Sequence, residues 1–137
     1  MGKLSGIRVI DLSLFLPGPM LTMMMADQGA EVIKIEPLTG DPAREQAPFE
    51  NGQSVWFRGL NRGKKCQTLD LKSDGAREIL WALIDTADVF VEGFRPGVMA
   101  RLGFDYAAVA ARNPRIIYCS ISAFGQSGDL AHHPAAL

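Results

Sequence analysis

Lys34, Arg44, Lys64, Lys65, Lys72, Arg95 and Arg101 stand in or beside turns that interrupt the apolar runs of this 137-residue sequence. Leu14, Phe15 and Leu16 put bulky apolar side chains into its first turn. Cations beside an apolar mouth suit a ligand with phosphates at one end and an apolar arm at the other, because Lys and Arg meet phosphate as charge-assisted donors. Taken singly, each of these cations reads as a solvated surface residue, the usual habit of Lys and Arg. The formal net charge of −1 leaves no cation excess for general binding to nucleic acid or a membrane surface, so neither is expected as a partner. An anion site has to come from local clustering. Groups fit for covalent or proton-transfer chemistry are fewer. Asp11 closes an apolar run and reads as an acceptor for backbone N–H groups in the turn beyond it. Cys119 lies mid-strand and reads as core. Asp41 and Arg44 read as a pair that fixes their loop. His132 and His133 titrate in a useful range but sit in a polar tail and read as solvated. No nucleophile, base and orienting group come together, and no metal-ligand spacing occurs, so no catalytic residue and no metal site are expected.

The elements that must position these residues begin at Ile7–Leu12, a β-branched apolar run of strand length. A turn, Ser13–Pro19, leads to a helix over Met20–Asp27; Pro19 suits a first turn, where its missing N–H costs nothing. Gly29 is placed to end that helix in a left-handed conformation. Glu31–Ile35 is a second strand, so the segment is a βαβ unit whose strands should run parallel. Pro37–Asn51 has no period and reads as a long loop, and loops of that length in compact domains tend to be functional or disordered. Ser54–Leu60 is a short apolar patch, Asn61–Lys65 a basic turn, and Cys66–Leu71 a third strand. Ser73 or Asp74 can N-cap a helix carrying Ile79, Leu80, Leu83 and Ile84 as an apolar stripe. Ala87–Val91 is a fourth strand, Val98–Leu102 and Tyr106–Arg112 short helices, Arg115–Ser122 a fifth strand, and Ala123–Leu137 loop.

These runs predict a single α/β, Rossmann-like domain over residues 1–137, with a mainly parallel sheet of about five strands and helices on both faces. In such sheets a ligand sits beyond the carboxyl ends of the strands where strand order reverses. If the first and fourth strands flank that point, Ser13–Gly18 and Glu92–Gly97 line the crevice, with Glu36–Arg44 and Lys72–Asp74 nearby. The first turn lacks GxGxxG and the chain has no GxxxxGK[ST], which disfavours NAD and P-loop readings. With 47% hydrophobic and 21% charged residues the chain has an ordinary globular composition. Cys66 and Cys119 fit buried thiols in a reducing compartment. Gly6, Arg8 and Asp11 interrupt the N-terminal apolar stretch, so neither a signal peptide nor a membrane span is expected there, and the expected compartment is the cytoplasm.

The segments LSGIRVIDL (Leu4–Leu12), Pro17-Gly18-Pro19, ADQGAEVIKIE (Ala26–Glu36), GDPAR (Gly40–Arg44), NRGKK (Asn61–Lys65), LDLK (Leu69–Lys72), VEGFRPGV (Val91–Val98), Asn113-Pro114-Arg115 and SISAFGQ (Ser120–Gln126) together resemble the N-terminal part of the family III CoA-transferases. That family includes formyl-CoA transferase, carnitine CoA-transferase and α-methylacyl-CoA racemase. No single segment decides the match; their order and intervals over nearly the whole chain carry it. The resemblance implies a CoA or acyl-CoA thioester as substrate, held in the crevice of a Rossmann-like domain without metal or prosthetic group, and two chains interlocked as a homo-oligomer. Carried over by position, Phe15 and Leu16 stand beside the thioester end of CoA. Leu69 and Lys72 meet its adenine and phosphate end, Gly93 and Phe94 its middle, and Arg101 and Leu102 the nucleotide side. Three departures are visible: Leu16 replaces the glutamine of formyl-CoA transferase, Pro37 replaces an arginine of many relatives, and Gly93 an asparagine of some. The aspartate nucleophile of the transferases falls past Leu137, and the racemase histidine would fall near Ala136. The resemblance therefore implies the front part of an acyl-CoA enzyme whose catalysis draws on further sequence. The alternative is a shortened, non-catalytic CoA-binding or interaction module.

Overall fold

The first apolar run forms β1 (Arg8–Asp11) in a computed structural model that describes residues 2–134. Val9 and Ile10 are both fully buried but belong to different core clusters, as successive residues of a strand must. The helix that follows, α1 (Pro17–Asp27), starts three residues ahead of the expected Met20. Pro17 and Pro19 both fall in its first turn, where neither loses an intrahelical bond. Gly29, at φ +97°, closes the unit as expected. β2 (Glu31–Glu36) then runs parallel to β1, with Val9 opposite Val32 and Ile10 opposite Ile33.

The expected loop Pro37–Asn51 is more ordered than its composition suggested. Asp41 caps a 3₁₀ turn at Pro42–Glu45, accepting the Ala43 N–H at 2.9 Å. A small hairpin joins β3 (Phe49–Glu50) to β4 (Gln53–Ser54) through Asn51 and Gly52, which supply the two positive φ angles (51° and 76°) that a two-residue turn needs. The apolar patch after it is a helix, α2 (Val55–Asn61), N-capped by Ser54, whose Oγ accepts the Phe57 N–H at 3.2 Å.

β5 (Lys65–Thr68) pairs with β2, and α3 (Asp74–Asp85) follows with Ser73, not Asp74, as its N-cap. β6 (Val89–Glu92) returns to the other side of β1; α4 (Val98–Leu102) and α5 (Tyr106–Arg112) then lead to β7 (Ile117–Ser120), beside β6. The five strands are all parallel in the order β5-β2-β1-β6-β7. The chain thus builds outward from β1 in one direction, then crosses back to build in the other. Strand order reverses between β1 and β6.

One face of the sheet packs Ile10, Ile35 and Phe90 against Leu80 and Ile84 of α3, Met99 of α4 and Val109 of α5. The Asn113 side chain ties this layer down by donating to the carbonyls of Ile84 (2.8 Å) and Ala87 (2.9 Å) just where α3 ends. The other face packs Val9, Val32, Val89 and Val91 against Met25 and Ala26 of α1. Each fully buried Leu, Ile or Phe contributes about 1.5–3 kcal/mol of transfer free energy, so the helix-rich face carries most of the core. On the outer side of α1, Met20, Leu21 and Met24 remain exposed, as does Ile117 on the edge strand β7. Among the described residues no helix is long and apolar enough to cross a membrane.

Candidate functional site

Because β1 and β6 are neighbours whose connections leave on opposite sides, the loops beyond their carboxyl ends part and leave a crevice. One cavity there, of about 420 Å³, is walled by Leu12, Leu14, Ile35, Leu71 and other apolar side chains. It brings together Leu69 and Lys72 of one short segment with Phe94 and Leu102, from three separate stretches of sequence. Lys72 is exposed, and its backbone N–H is held by Asp70 Oδ1 at 3.1 Å. A second cavity of about 360 Å³ is lined by Ser13, Gly18, Gly93, Phe94, Arg95 and His133 among others. Leu14 and Phe94 border both cavities. Phe15 and Leu16 line neither: the Phe15 ring packs 6.4 Å from that of Trp56 on α2, and Leu16 is the N-cap of α1. Arg101 also lies outside both linings and is exposed near Gly97. Of the two tail histidines, His133 borders the second cavity and both are exposed; the Ala136 position lies outside the described residues. Gly93 has room for a side chain, since a Cβ there would lie 3.6 Å from that of Ser13.

The start of α1 differs from a dinucleotide site in donors as well as in shape. Two of its first three residues are prolines, and Leu16 makes no side-chain cap. A helix N-terminus binds phosphate through free N–H groups, which this one largely lacks, so it suits an uncharged part of a ligand.

Behind the crevice lies a set of buried charges that alters the reading of the cations. Lys34 and Lys64, expected at the surface, have fully buried side chains. Lys34 Nζ donates to Asp41 Oδ2 at 2.8 Å and to the Ser13 carbonyl at 2.7 Å. Lys64 Nζ lies 3.2 Å from Asp11 Oδ2 and donates at 2.9 Å to both the Pro19 carbonyl and Asn61 Oδ1. Burial pushes the Lys64 ammonium below its ordinary pKa, opposed by the Asp11 charge. Asp11 takes the expected turn bond from the Ser13 N–H at 2.9 Å, together with the hydroxyls of Ser13 and Thr22 (2.5 Å for Thr22). Asp41 and Arg44 do not pair with each other as expected. Asp41 faces Lys34, while Arg44 forks onto Glu36 at 2.8 and 2.7 Å and lies 3.7 Å over the Phe57 ring. Glu36 also accepts the Asp41 N–H at 2.9 Å, so the loop is still fixed, by different partners. Cys66 sits exposed on edge strand β5, contrary to the expectation of a buried thiol; Cys119 is half-buried, and both are free.

Thr22, and the role of Glu92 as a buried acceptor rather than only the first residue of the crevice segment, are not legible in the sequence. Glu92, at the end of β6, is buried and accepts the Phe94 N–H at 2.9 Å and the Ser120 hydroxyl, which aims the Phe94 turn as Asp11 aims the Ser13 turn. Burial, with Glu92 and Asp105 nearby, pushes the Tyr118 phenol upward, and its OH donates to the Phe104 carbonyl at 2.8 Å. The available signal was position: a charge inside a parallel strand buried on both faces must be partnered.

Burial works to raise the Glu36 carboxyl, but the Arg44 guanidinium and the Asp41 N–H outweigh it and hold the group below its ordinary 4.5. A carboxyl lowered in the folded state stabilises it fully above the ordinary range and ceases to do so as pH falls through the lowered value. Urea midpoints measured from pH 7 down to pH 3 should therefore fall less steeply in Glu36→Gln than in the parent chain. Equal slopes would mean that the Glu36–Arg44 contact does not form in solution.

The sequence profile of CoA-transferase family III matches residues 4–136, nearly the whole chain. The chain belongs to that family. Family members most similar in sequence include the acetyl-CoA:oxalate CoA-transferase of Acetobacter aceti, 50% identical over 135 residues that make up 98% of this chain and 35% of the relative. The succinyl-CoA:glutarate CoA-transferase of Mus musculus is 41% identical over 134 residues, 96% of this chain and 31% of that protein. The crystal structure of Rv3272 from Mycobacterium tuberculosis superposes with a TM-score of 0.90 at 38% identity, covering 98% of this chain and 38% of that one. A CaiB/BaiF family protein from Brucella suis gives 0.91 at 36% identity, with 96% and 36% covered. The chain thus spans about a third of the length of the relatives it matches, and the α/β sheet flanked by helices is the fold of this part of the family.

Proposed function

We propose that this chain forms the acyl-CoA cradle of a CoA-transferase, with the CoA nucleotide at the Lys72 end of the larger cavity and the acyl end toward the Ser13–Leu16 turn. The observation that carries this reading is the single apolar cavity in which Leu69, Lys72, Phe94 and Leu102 meet. Its walls suit the pantetheine arm, Lys72 supplies a point charge for phosphate, and the proline-rich start of α1 offers little to a charged group. Gly93 lies beside Phe94 at the middle of the ligand, while Phe15, Leu16 and Arg101 complete the cradle from outside the cavity linings.

The reaction supported by the relatives' named activities is exchange of CoA between carboxylic acids. In this chain Asp11, Asp41 and Glu92 are buried, and each commits its oxygens to the surrounding N–H, O–H or ammonium donors. None of the three is free to act as nucleophile, and their work is to shape the loops that hold substrate. Catalysis then draws on residues other than these.

Calorimetric titration with coenzyme A tests the reading. Saturable binding is expected, about fivefold weaker in Lys72→Ala, as befits one partly solvated phosphate contact. CoA should also compete against ATP and NAD. A folded sample that does not bind CoA, or binds it equally well without Lys72, would count against the cradle as described.

A further inference from the structure

We infer that the buried Lys34–Asp41 pair is a positioning device for the turn that separates the two cavities, an inference that rests on the acyl-CoA reading above. The argument starts at Phe15, which adopts φ +68°. Non-glycine residues occupy that region only where their surroundings over-determine it. Here Asp41 supplies the constraint: its carboxylate accepts the Phe15 N–H at 3.1 and 3.3 Å from its two oxygens. The same carboxylate meets Lys34 Nζ at 2.8 Å, and Lys34 Nζ in turn donates to the Ser13 carbonyl at 2.7 Å. Residues 13 and 15 are thus pinned to β2 and to the Asp41 turn by one ion pair. Leu14 lies between the two pinned points, and Leu14 borders both cavities.

Both side chains of the pair are fully buried. A buried ion pair is a costly way to gain stability, because desolvation can exceed the attraction regained. It does give fixed direction at both ends, which an apolar contact would not. Asp41 also caps the following turn through the Ala43 N–H, so the pair couples the turn after β1 to the turn after β2. Asp41 and Lys34 act here through Leu14 and Phe15; neither lines either cavity.

The test uses a Trp81→Phe background, which leaves Trp56, the partner of the Phe15 ring, as the only tryptophan. Asp41→Asn should shift the Trp56 emission in the ligand-free protein and weaken CoA about tenfold, while far-ultraviolet circular dichroism stays native. If the single variant does not fold, Lys34→Met combined with Asp41→Asn removes the stranded lysine charge and should give the same emission shift. The effect of Asp41→Asn on CoA affinity should shrink to about threefold or less in a Phe15→Gly background, because a glycine needs no constraint at this φ. Ile84→Val, which loosens the distant core, should leave emission and affinity unchanged. A folded Asp41→Asn protein with parental emission and affinity would overturn the inference, as would full additivity with Phe15→Gly. If the parent chain does not bind CoA, the underlying reading falls instead, and the emission alone decides whether the pair holds the turn.

Discussion

Replacing Asp11 by alanine is expected to lower folding stability by about 3–5 kcal/mol, the cost of stranding a buried charge and several donors at once. Asp11 is fully buried at the end of the central strand and serves the Ser13 N–H, two hydroxyls and the Lys64 ammonium. Ser13 and Thr22 are buried, as is the Lys64 side chain. Lys64 keeps the Pro19 carbonyl and Asn61 but loses the carboxylate it is paired with. Asp11→Asn should cost less, since one oxygen remains for the turn, and adding Lys64→Met to it should recover part of the loss. Urea unfolding read by circular dichroism measures all three. A loss below about 1 kcal/mol for the alanine variant would mean that water reaches the site and that the charges are not interior in solution.

Gly18→Ala should also be severe, against the usual direction of such a change in a helix. Alanine is ordinarily favoured over glycine in a helix by about 1 kcal/mol. At this position a Cβ would fall 2.2 Å from both Cβ and Oγ of Ser13. Ser13 cannot swing aside, because it is 1% exposed, with its N–H and hydroxyl bonded to Asp11 and its carbonyl to Lys34. The backbone of α1 or of the Ser13 turn has to move, at a cost of about 1–3 kcal/mol. Since both Ser13 and Gly18 line the second cavity, CoA affinity should fall together with stability. A variant as stable as the parent would show that α1 can slide away from the sheet without penalty. Unaltered affinity alongside lost stability would separate the second cavity from the CoA site.

Much of the architecture was legible in the sequence because its determinants are local. Five strand-length runs, the proline in the first turn of α1, the left-handed Gly29 and the Ser73 cap act over a few residues and are found in the structure, although β5 ends at Thr68 rather than Leu71 and α1 begins at Pro17 rather than Met20. The hairpin was equally available in Asn51-Gly52 but was hidden inside a stretch dominated by Pro and charge. α2 escaped because Val55 and Trp56 stay exposed, which leaves no clean apolar stripe, although Ser54 marked its start. The candidate cradle residues came from positional resemblance rather than from any periodicity, and the fold draws Leu69, Lys72, Phe94 and Leu102 to one cavity while leaving Phe15, Leu16 and Arg101 outside its lining.

What the sequence determined by itself is the order of the five sheet strands and the helices α1, α3, α4 and α5, the parallel α/β class and the family. What only the tertiary structure decided is which strands are neighbours and what each charged side chain is for. Lys34, Lys64, Lys65 and Lys72 look alike in the chain. Two are interior, bonded to carboxylates, and two are exposed. The carboxylate that claims Lys64 lies 53 residues away, and it arrives there only because α1 crosses over the sheet and α2 packs against it. Neighbours in sequence set the local conformation, but the solvation of a charge depends on every segment that folding brings around it.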